Sequence, residues 1–170
     1  MVKLRVIKKN ESKQLANLLR QDPALREELG FPNADTITPE SVHADILTWQ
    51  KKKSATCYGI FRNNEIAGMI SLSHQNEEER TARIGYWIGT AYRRKRIASD
   101  AFAEVLSNAQ KKGFATVSSK IDKTNHASIS IWEKYEPKTK EISTKQVEVE
   151  IDIRRQPLHE PDACKGTKLV

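Results

Sequence analysis

Four consecutive cations, Arg93-Arg94-Lys95-Arg96, form the stretch of this sequence with the clearest chemical potential. An aromatic and β-branched run over residues 84–89 precedes them, and apolar residues recur at helical spacing from Ile97 onward. The cations therefore lie where a strand passes into the start of a helix. Because that end of a helix has unpaired N–H groups and roughly half a positive charge, added cations are unfavourable there unless an anion binds. The pattern predicts a site for a phosphate-bearing ligand, with a solvated basic turn as the alternative.

The segments before this stretch are predicted to supply helices and the first strands of a sheet. Residues 3–8 alternate like a strand, and helices are expected between Ser12, as an N-cap, and Asp22, then up to Gly30, and from Pro39 to about residue 53. Residues 55–62 and 65–73 flank a turn signal and should form an antiparallel hairpin.

The segments after the basic stretch are predicted to supply the remaining helices and strands. The helix that begins at Ile97 should stop at Gly113, and residues 114–121 then read as a strand. A helix within residues 122–135 follows, and residues 145–155 alternate strictly as a half-buried strand that 139–143 could pair with. The order predicts an α/β (α+β) fold, with a mixed, mostly antiparallel central sheet of about seven strands and helices on both faces. Residues 1–155 should form this single domain, and residues 156–170 a mobile tail.

Composition restricts the class of protein. The 170 residues fit one domain, and a net charge of +7 suits a polyanionic partner, which leaves a phosphorylated cofactor, an acidic peptide, RNA and the ribosome open. The start of the chain lacks a secretory signal and no stretch reaches transmembrane length, so a cytoplasmic protein without a membrane partner is expected. Cys57 and Cys164 offer neither metal-ligand spacing nor a clear disulfide, so no metal site is expected.

The basic segment also resembles a known motif. Residues 93–98, Arg-Arg-Lys-Arg-Ile-Ala, are similar to the acetyl-CoA pyrophosphate loop of the GNAT superfamily of N-acetyltransferases, whose pattern is Gln/Arg-x-x-Gly-x-Gly/Ala. Arg93 matches the first position and Ala98 the last, whereas Arg96 stands where the family usually has glycine. The resemblance implies that acetyl-CoA is bound by the loop residues Arg93, Arg94, Lys95, Arg96, Ile97 and Ala98.

A second segment, residues 122–135, resembles the Asn-x-x-Ser/Ala helix of the same family in the style of its Rim-type, ribosomal-protein branch. The resemblance covers about residues 3–155 and implies a GNAT-like fold in which the pantetheine arm lies beside the strand that ends at Ile88 and Gly89. It further implies that Asn125 touches the cofactor. Trp132 stands where many members have a proton-donating tyrosine, so the resemblance implies that Ser128 is the catalytic acid; a small packing residue is the alternative.

Acetyl transfer from a thioester also requires an uncharged amine. No convincing general base is evident, since His74 and residues 77–79 are more typical of a plain surface loop. A peptide α-amine has a pKa of about 7.7–8.0, so roughly a tenth of it is uncharged at pH 7. A lysine amine has a pKa of about 10.4 and is almost entirely charged at that pH. The missing base thus favours a protein or peptide N-terminus, or another weakly basic amine such as a small molecule, over lysine as the acceptor.

Two other functions stay open. The departures at Arg96, Trp132 and Glu136 are compatible with a catalytically impaired CoA-binding or regulatory protein of the same fold. The charge of +7 is compatible with an RNA- or ribosome-binding module, although no nucleic-acid motif is recognisable. A homodimer is left open as well.

Overall fold

The computed structural model describes residues 1–31 and 33–157. Within these ranges seven strands and five α-helices form, and they are, in chain order, β1 (Val2–Val6), α1 (Lys9–Gln21), α2 (Pro23–Leu29), α3 (Pro39–Lys52), β2 (Thr56–Arg62), β3 (Glu65–Asn76), β4 (Thr81–Ile88), α4 (Ile97–Lys111), β5 (Thr116–Asp122), α5 (His126–Glu133), β6 (Lys138–Glu141) and β7 (Gln146–Asp152). Short 3-10 turns cover Ala34–Thr36, Thr90–Tyr92 and Ile153–Arg155. No helix in the described part is long and apolar enough to cross a membrane. The predicted tail lies outside the described residues from 158 onward.

All seven strands form one sheet in the order β1-β2-β3-β4-β5-β7-β6. Every neighbouring pair is antiparallel except β4 and β5, which are parallel and joined by α4. This crossover through a helix is the usual way to connect adjacent parallel strands. The predicted mixed, mostly antiparallel sheet of about seven strands is therefore confirmed.

Helices cover both faces of the sheet, because alternate side chains of a strand point to opposite sides. On one face Ile84 and Ile88 of β4 pack with Phe102 of α4 and with Trp132 of α5 in the main core cluster. On the other face Trp87 packs against smaller clusters that include residues of α1, α2 and α3. The single strand β4 thus contacts both layers of helices.

The two parallel strands separate soon after they meet. β4 and β5 pair over only three positions, residues 81–83 with residues 116–118. Beyond them, residues 84–88 and residues 119–122 have no pairing with each other in the described structure. This open space, the β4–β5 gap, leaves one edge of each strand free in the middle of the sheet.

A few predicted boundaries were wrong. Helix α1 begins at Lys9 and not after Ser12, because Glu11 Oε2 accepts a hydrogen bond of 2.9 Å from the backbone N–H of Lys8 and satisfies the helix start. Ser12 is buried in the first turn, where its Oγ donates to Lys8 O. At the other end, β7 stops at Asp152, and a 3-10 turn replaces the last three predicted strand residues.

Candidate functional site

The basic loop joins the end of β4 to the start of α4. The backbone N–H groups of residues 94–99 have no acceptor among the described residues, and Arg96, at the N-cap of α4, makes no side-chain cap. The first intrahelical acceptor is Arg96 O, which receives a bond from Asp100 N. An uncapped helix start with adjacent cations is the environment that binds a phosphate group.

The loop reaches this position through two residues with left-handed backbone. Arg94 and Arg96 both have φ of 60°, a conformation that usually favours glycine. Arg96 therefore occupies the glycine position of the motif with the backbone that a glycine would adopt. Its side chain and that of Arg94 are exposed and have no polar partner among the described residues, so both guanidinium groups remain available to an anion.

The left-handed backbone at Arg96 has a measurable consequence. Arg96→Val should destabilise the fold by about 1–2 kcal/mol, because a β-branched side chain is strongly disfavoured at positive φ. Arg96→Gly should stay within about 1 kcal/mol of the parent, since the relief of strain is offset by the greater freedom of glycine in the unfolded chain. Urea denaturation measures both values. Equal stability of the two variants would show that residue 96 does not hold this conformation.

Arg93 has a different environment from its neighbours. Its Nη1 and Nη2 donate to Glu28 at 2.9 and 2.6 Å, and its Nε donates to Ile88 O at 3.2 Å. The hydrogen bonds from Arg93 also hold the pKa of the Glu28 carboxyl below its usual value. Arg93 thus ties the end of β4 to α2, a role that the sequence did not indicate.

Asp22 fixes the same turn from the other side. Its Oδ2 accepts from Thr90 N at 2.7 Å and from Thr90 Oγ1 at 2.9 Å, while its Oδ1 accepts from Leu25 N. Burial alone would raise the pKa of this carboxyl, but the hydrogen bonds from Thr90 and Leu25, with the nearby charge of Arg93, bring it below its usual value. The loop is therefore held in place by a buried carboxylate.

The remaining loop residues contribute mainly backbone or packing. Lys95 Nζ donates to Ala91 O at 2.8 Å, which folds that cation back along the turn. Ile97 is buried in the main core, and Ala98 is half-buried beside it. Both present uncapped N–H groups at the first turn of α4.

The strand end predicted to face the cofactor lies at the β4–β5 gap. Gly89 N donates to Ala67 O at 2.8 Å, so this N–H is already bonded to β3. Because hydrogen-bonding directions alternate along a strand, the N–H groups of Tyr86 and Ile88 point away from β3 and into the gap. These two groups, and not Gly89 N–H, are the backbone donors that a ligand in the gap would meet.

Across the gap, α5 brings two of the predicted residues together. Asn125 caps this helix, with its Oδ1 accepting from Ser128 N at 3.1 Å. The hydroxyl groups of Ser128 and Tyr86 share a hydrogen bond of 2.7 Å. Burial raises the pKa of the Tyr86 phenol, and contacts from Ser128 and Trp132 offset only part of that rise. The hydroxyl pair is therefore protonated at neutral pH and can donate a proton.

Tyr86 was not among the site residues predicted from the sequence, and its contact with Ser128 was missed. The two residues are 42 positions apart in the chain, so no local spacing pattern links them. Trp132, which replaces the usual tyrosine of the family, is 1% exposed and packs edge-on against Phe102 with ring centroids 4.8 Å apart. The indole fills the core beside Tyr86, whose hydroxyl is the nearest phenolic group to Ser128 that the structure shows.

On the opposite face of β4 lies a cavity of about 660 Å³. It lies between α1, α3 and the sheet and is open to solvent on one side, and residues Gly85, Tyr86 and Trp87 of β4 form one wall. His74, one of the weak candidates for a base, is exposed and contacts Trp49 at the rim with ring centroids 6.3 Å apart. Partial burial and the charges of Arg83 and Lys53 lower the pKa of His74, so it is neutral at pH 7.

Comparison with known proteins agrees with this geometry. Residues 2–136 match the family model described as an acetyltransferase (GNAT) domain. A ribosomal-protein-serine acetyltransferase of Escherichia coli (strain K12) is 24% identical over 116 residues, which are 66% of this chain and 64% of that protein, so the match spans less than two thirds of the relative.

Solved structures share the fold. A RimL ribosomal-protein alpha-N-acetyltransferase in complex with coenzyme A has a TM-score of 0.73 at 20% identity, covering 89% of this chain and 93% of its own. A microcin self-immunity acetyltransferase, MccE, in complex with acetyl-CoA and AMP has a TM-score of 0.72 at 18% identity, covering 89% and 92%. The family resemblance that the basic loop indicated is thereby confirmed, and the chain belongs to the acetyltransferase (GNAT) domain family.

Proposed function

We propose that this protein is an N-acetyltransferase that moves an acetyl group from acetyl-CoA to a primary amine. The observation that carries the proposal is the uncapped start of α4, with the exposed cations Arg94 and Arg96, in the loop that directly follows the β4 residues bordering the β4–β5 gap. The similar acetyltransferases support it, since two of their structures hold coenzyme A or acetyl-CoA. The loop fits a diphosphate, and the two free strand edges fit the amide groups of a pantetheine arm.

In the reaction, the amine nitrogen attacks the thioester carbonyl, the C–S bond breaks and the departing thiolate takes up a proton. Tyr86 and Ile88 direct N–H groups into the gap, where they can stabilise the oxygen that becomes negative. The Tyr86–Ser128 hydroxyl pair supplies the proton to the thiolate. The amine loses its own proton to solvent and the hydroxyl pair regains one from solvent, so the products are the amide and the free thiol and the pair is restored.

The acceptor is best described as a weakly basic amine. Since no side chain of the described site is placed as a strong base, a peptide or protein α-amine is favoured over lysine, for the pKa reason given above. The alternative of a CoA-binding protein without catalysis derives from Arg96, Trp132 and Glu136 in place of the usual family residues. The Tyr86 hydroxyl beside Ser128 offers another proton donor and so weakens the part of that alternative that rests on Trp132. Asn125 contacting the cofactor, a cytoplasmic location and a homodimer stay predictions.

Calorimetric titration with acetyl-CoA tests the proposal. The double variant Arg94→Ala/Arg96→Ala should bind at least about tenfold more weakly and with a flatter salt dependence, because charge-assisted contacts to phosphate are lost. Lys111→Ala/Lys112→Ala removes the same charge from the opposite end of α4 and serves as the matched control.

The two outcomes separate clearly. Absence of saturable heat at millimolar acetyl-CoA would end the proposal. An equal loss in the control variant would show that net charge, and not the loop, attracts the ligand.

A further inference from the structure

The cavity behind β4 is built for an apolar group. Its inner surface includes side chains that are fully or largely buried, such as Leu15, Ile46 and Cys57. Burial raises the pKa of the Cys57 thiol to about 11, so this group contributes an apolar surface and not a nucleophile. Trp49 and Trp87 add aromatic walls. A volume of about 660 Å³ exceeds what water-filled gaps in a core need and falls in the range of small-ligand sites.

The charge at the cavity is small and of one sign. Among its described lining residues Asp45 is the single charged side chain, and it is exposed on α3, with the hydroxyls of Thr36 and Ser41 nearby on the lining. One carboxylate complements one ammonium group. A polyamine would bring several cations into an apolar space that offers no partners for the others, at a high desolvation cost.

The β4 wall of the cavity has no side chain at one position, Gly85. Gly85 is exposed in the middle of β4, and a Cβ added there would meet only Ser71 Oγ, at 3.8 Å. The next residue, Tyr86, lines the cavity as well and carries the hydroxyl bonded to Ser128. The hydroxyl itself points to the other face of the sheet, but the β4 residues that line the cavity, 85–87, belong to the stretch that borders the β4–β5 gap, so a group seated in the cavity lies beside that gap.

We propose that this cavity receives the bulky apolar side chain of the first residue of a peptide or protein acceptor, so that its α-amine is presented at Gly85 and Tyr86. The inference rests on the proposed acetyltransferase function and names its substrate class. Asp45 attracts the ammonium form of the same residue to the cavity. The side chain and the α-amine are attached to the same Cα atom, so burial of the side chain in the cavity also fixes the position of the amine. A serine side chain would leave the aromatic and aliphatic lining unfilled.

Matched peptides test the inference directly. A peptide amide beginning Phe-Ala-Ala-Ala should be acetylated with a kcat/KM at least about tenfold higher than one beginning Ser-Ala-Ala-Ala, since filling an apolar pocket gives discrimination of this order. Spermidine and phenethylamine complete the panel. Each compound is also titrated into the free protein, so that binding is measured whether or not turnover occurs.

Variants then locate the effect. Gly85→Val places a side chain into the cavity at a strand position that tolerates it, and should reduce kcat/KM for the Phe peptide by about tenfold or more while leaving the acetyl-CoA dissociation constant within about threefold. Trp49→Ala provides a second variant at the exposed rim. Leu47→Ala, on the same helix but not lining the cavity, is the matched control and should leave both values unchanged. Circular dichroism verifies folding.

Each result of these experiments either supports or contradicts the inference. A Phe preference that Gly85→Val abolishes supports the inference. Equal or better use of the Ser peptide, a preference for spermidine, or binding of phenethylamine without the Phe peptide would overturn it. If acetyl-CoA binds normally, any of those contrary results leaves the proposed function intact. If acetyl-CoA does not bind, the proposed function is contradicted. In that case the peptide titrations alone test whether the cavity receives the apolar side chain.

Discussion

Ser128→Ala is expected to lower kcat by about 10²-fold, with the dissociation constant for acetyl-CoA changed by less than about threefold, because a positioned acid contributes only as the thiolate departs. The reason is structural: the Ser128 hydroxyl lies 2.7 Å from the Tyr86 hydroxyl at the β4–β5 gap, whereas its backbone N–H, which bonds Asn125, is retained in the variant. Steady-state kinetics and calorimetry measure the two quantities.

Tyr86→Phe is the companion change. If the two hydroxyls act as one proton-donating unit, the double variant should lose little more than Ser128→Ala does alone. Burial raises the pKa of Tyr86 above its usual value of 10, so the phenol stays protonated and its ionisation should not limit the rate below about pH 10. Fully multiplicative losses would mean that the two groups act separately, and an unchanged kcat in Ser128→Ala would exclude it as the acid.

Asp22→Ala should destabilise the protein by about 2–4 kcal/mol, because one carboxylate that is 7% exposed accepts hydrogen bonds from Leu25 N, Thr90 N and Thr90 Oγ1. Its removal leaves the Thr90 donors to find water and releases the turn that leads into the basic loop. Urea or thermal denaturation measures the loss. Asp152→Ala is a suitable control, since Asp152 also accepts from a backbone N–H but lies at the surface, and its effect should be clearly smaller.

The pH dependence of this contribution has a definite sign. The folded-state pKa of Asp22 lies below its ordinary value of 3.8, so the unfolded chain binds the proton more tightly. The stabilisation is therefore fully present above the unfolded pKa and is lost as pH falls through the folded one. The difference in unfolding free energy between wild type and Asp22→Ala should be constant above about pH 5 and shrink below about pH 4. A difference that grows in acid would contradict this assignment.

Most of the fold could be predicted from local patterns. The alternation in β7, the turn between β2 and β3 and the amphipathic period of α4 are each contained in a short segment. The start of α1 was wrong by four residues, because Lys8 and Glu11 form the helix start in place of the predicted cap at Ser12. Such ends depend on one or two hydrogen bonds that propensity does not determine.

The site was less accessible to sequence reasoning. The cationic run located the loop, and the motif placed Arg96 at its glycine position, but the hydrogen bonds of Arg93 to Glu28 join residues 65 positions apart. The Tyr86–Ser128 contact similarly depends on where α5 lies against β4. The cavity needs α1, α2, α3 and three strands at once. Long-range packing of this kind leaves no periodic signal in the chain.

Because only three residue pairs join β4 and β5, few backbone hydrogen bonds hold the two parts of this sheet together. Backbone bonding divides it into a four-stranded unit and a three-stranded unit, and most of their cohesion must come from α4 and the core beneath them. A molecule that bonds to both free edges would join the two units and so contribute to the cooperativity of unfolding as well as to its free energy. If the proposed acyl donor binds in this way, it forms part of the sheet for as long as it stays bound.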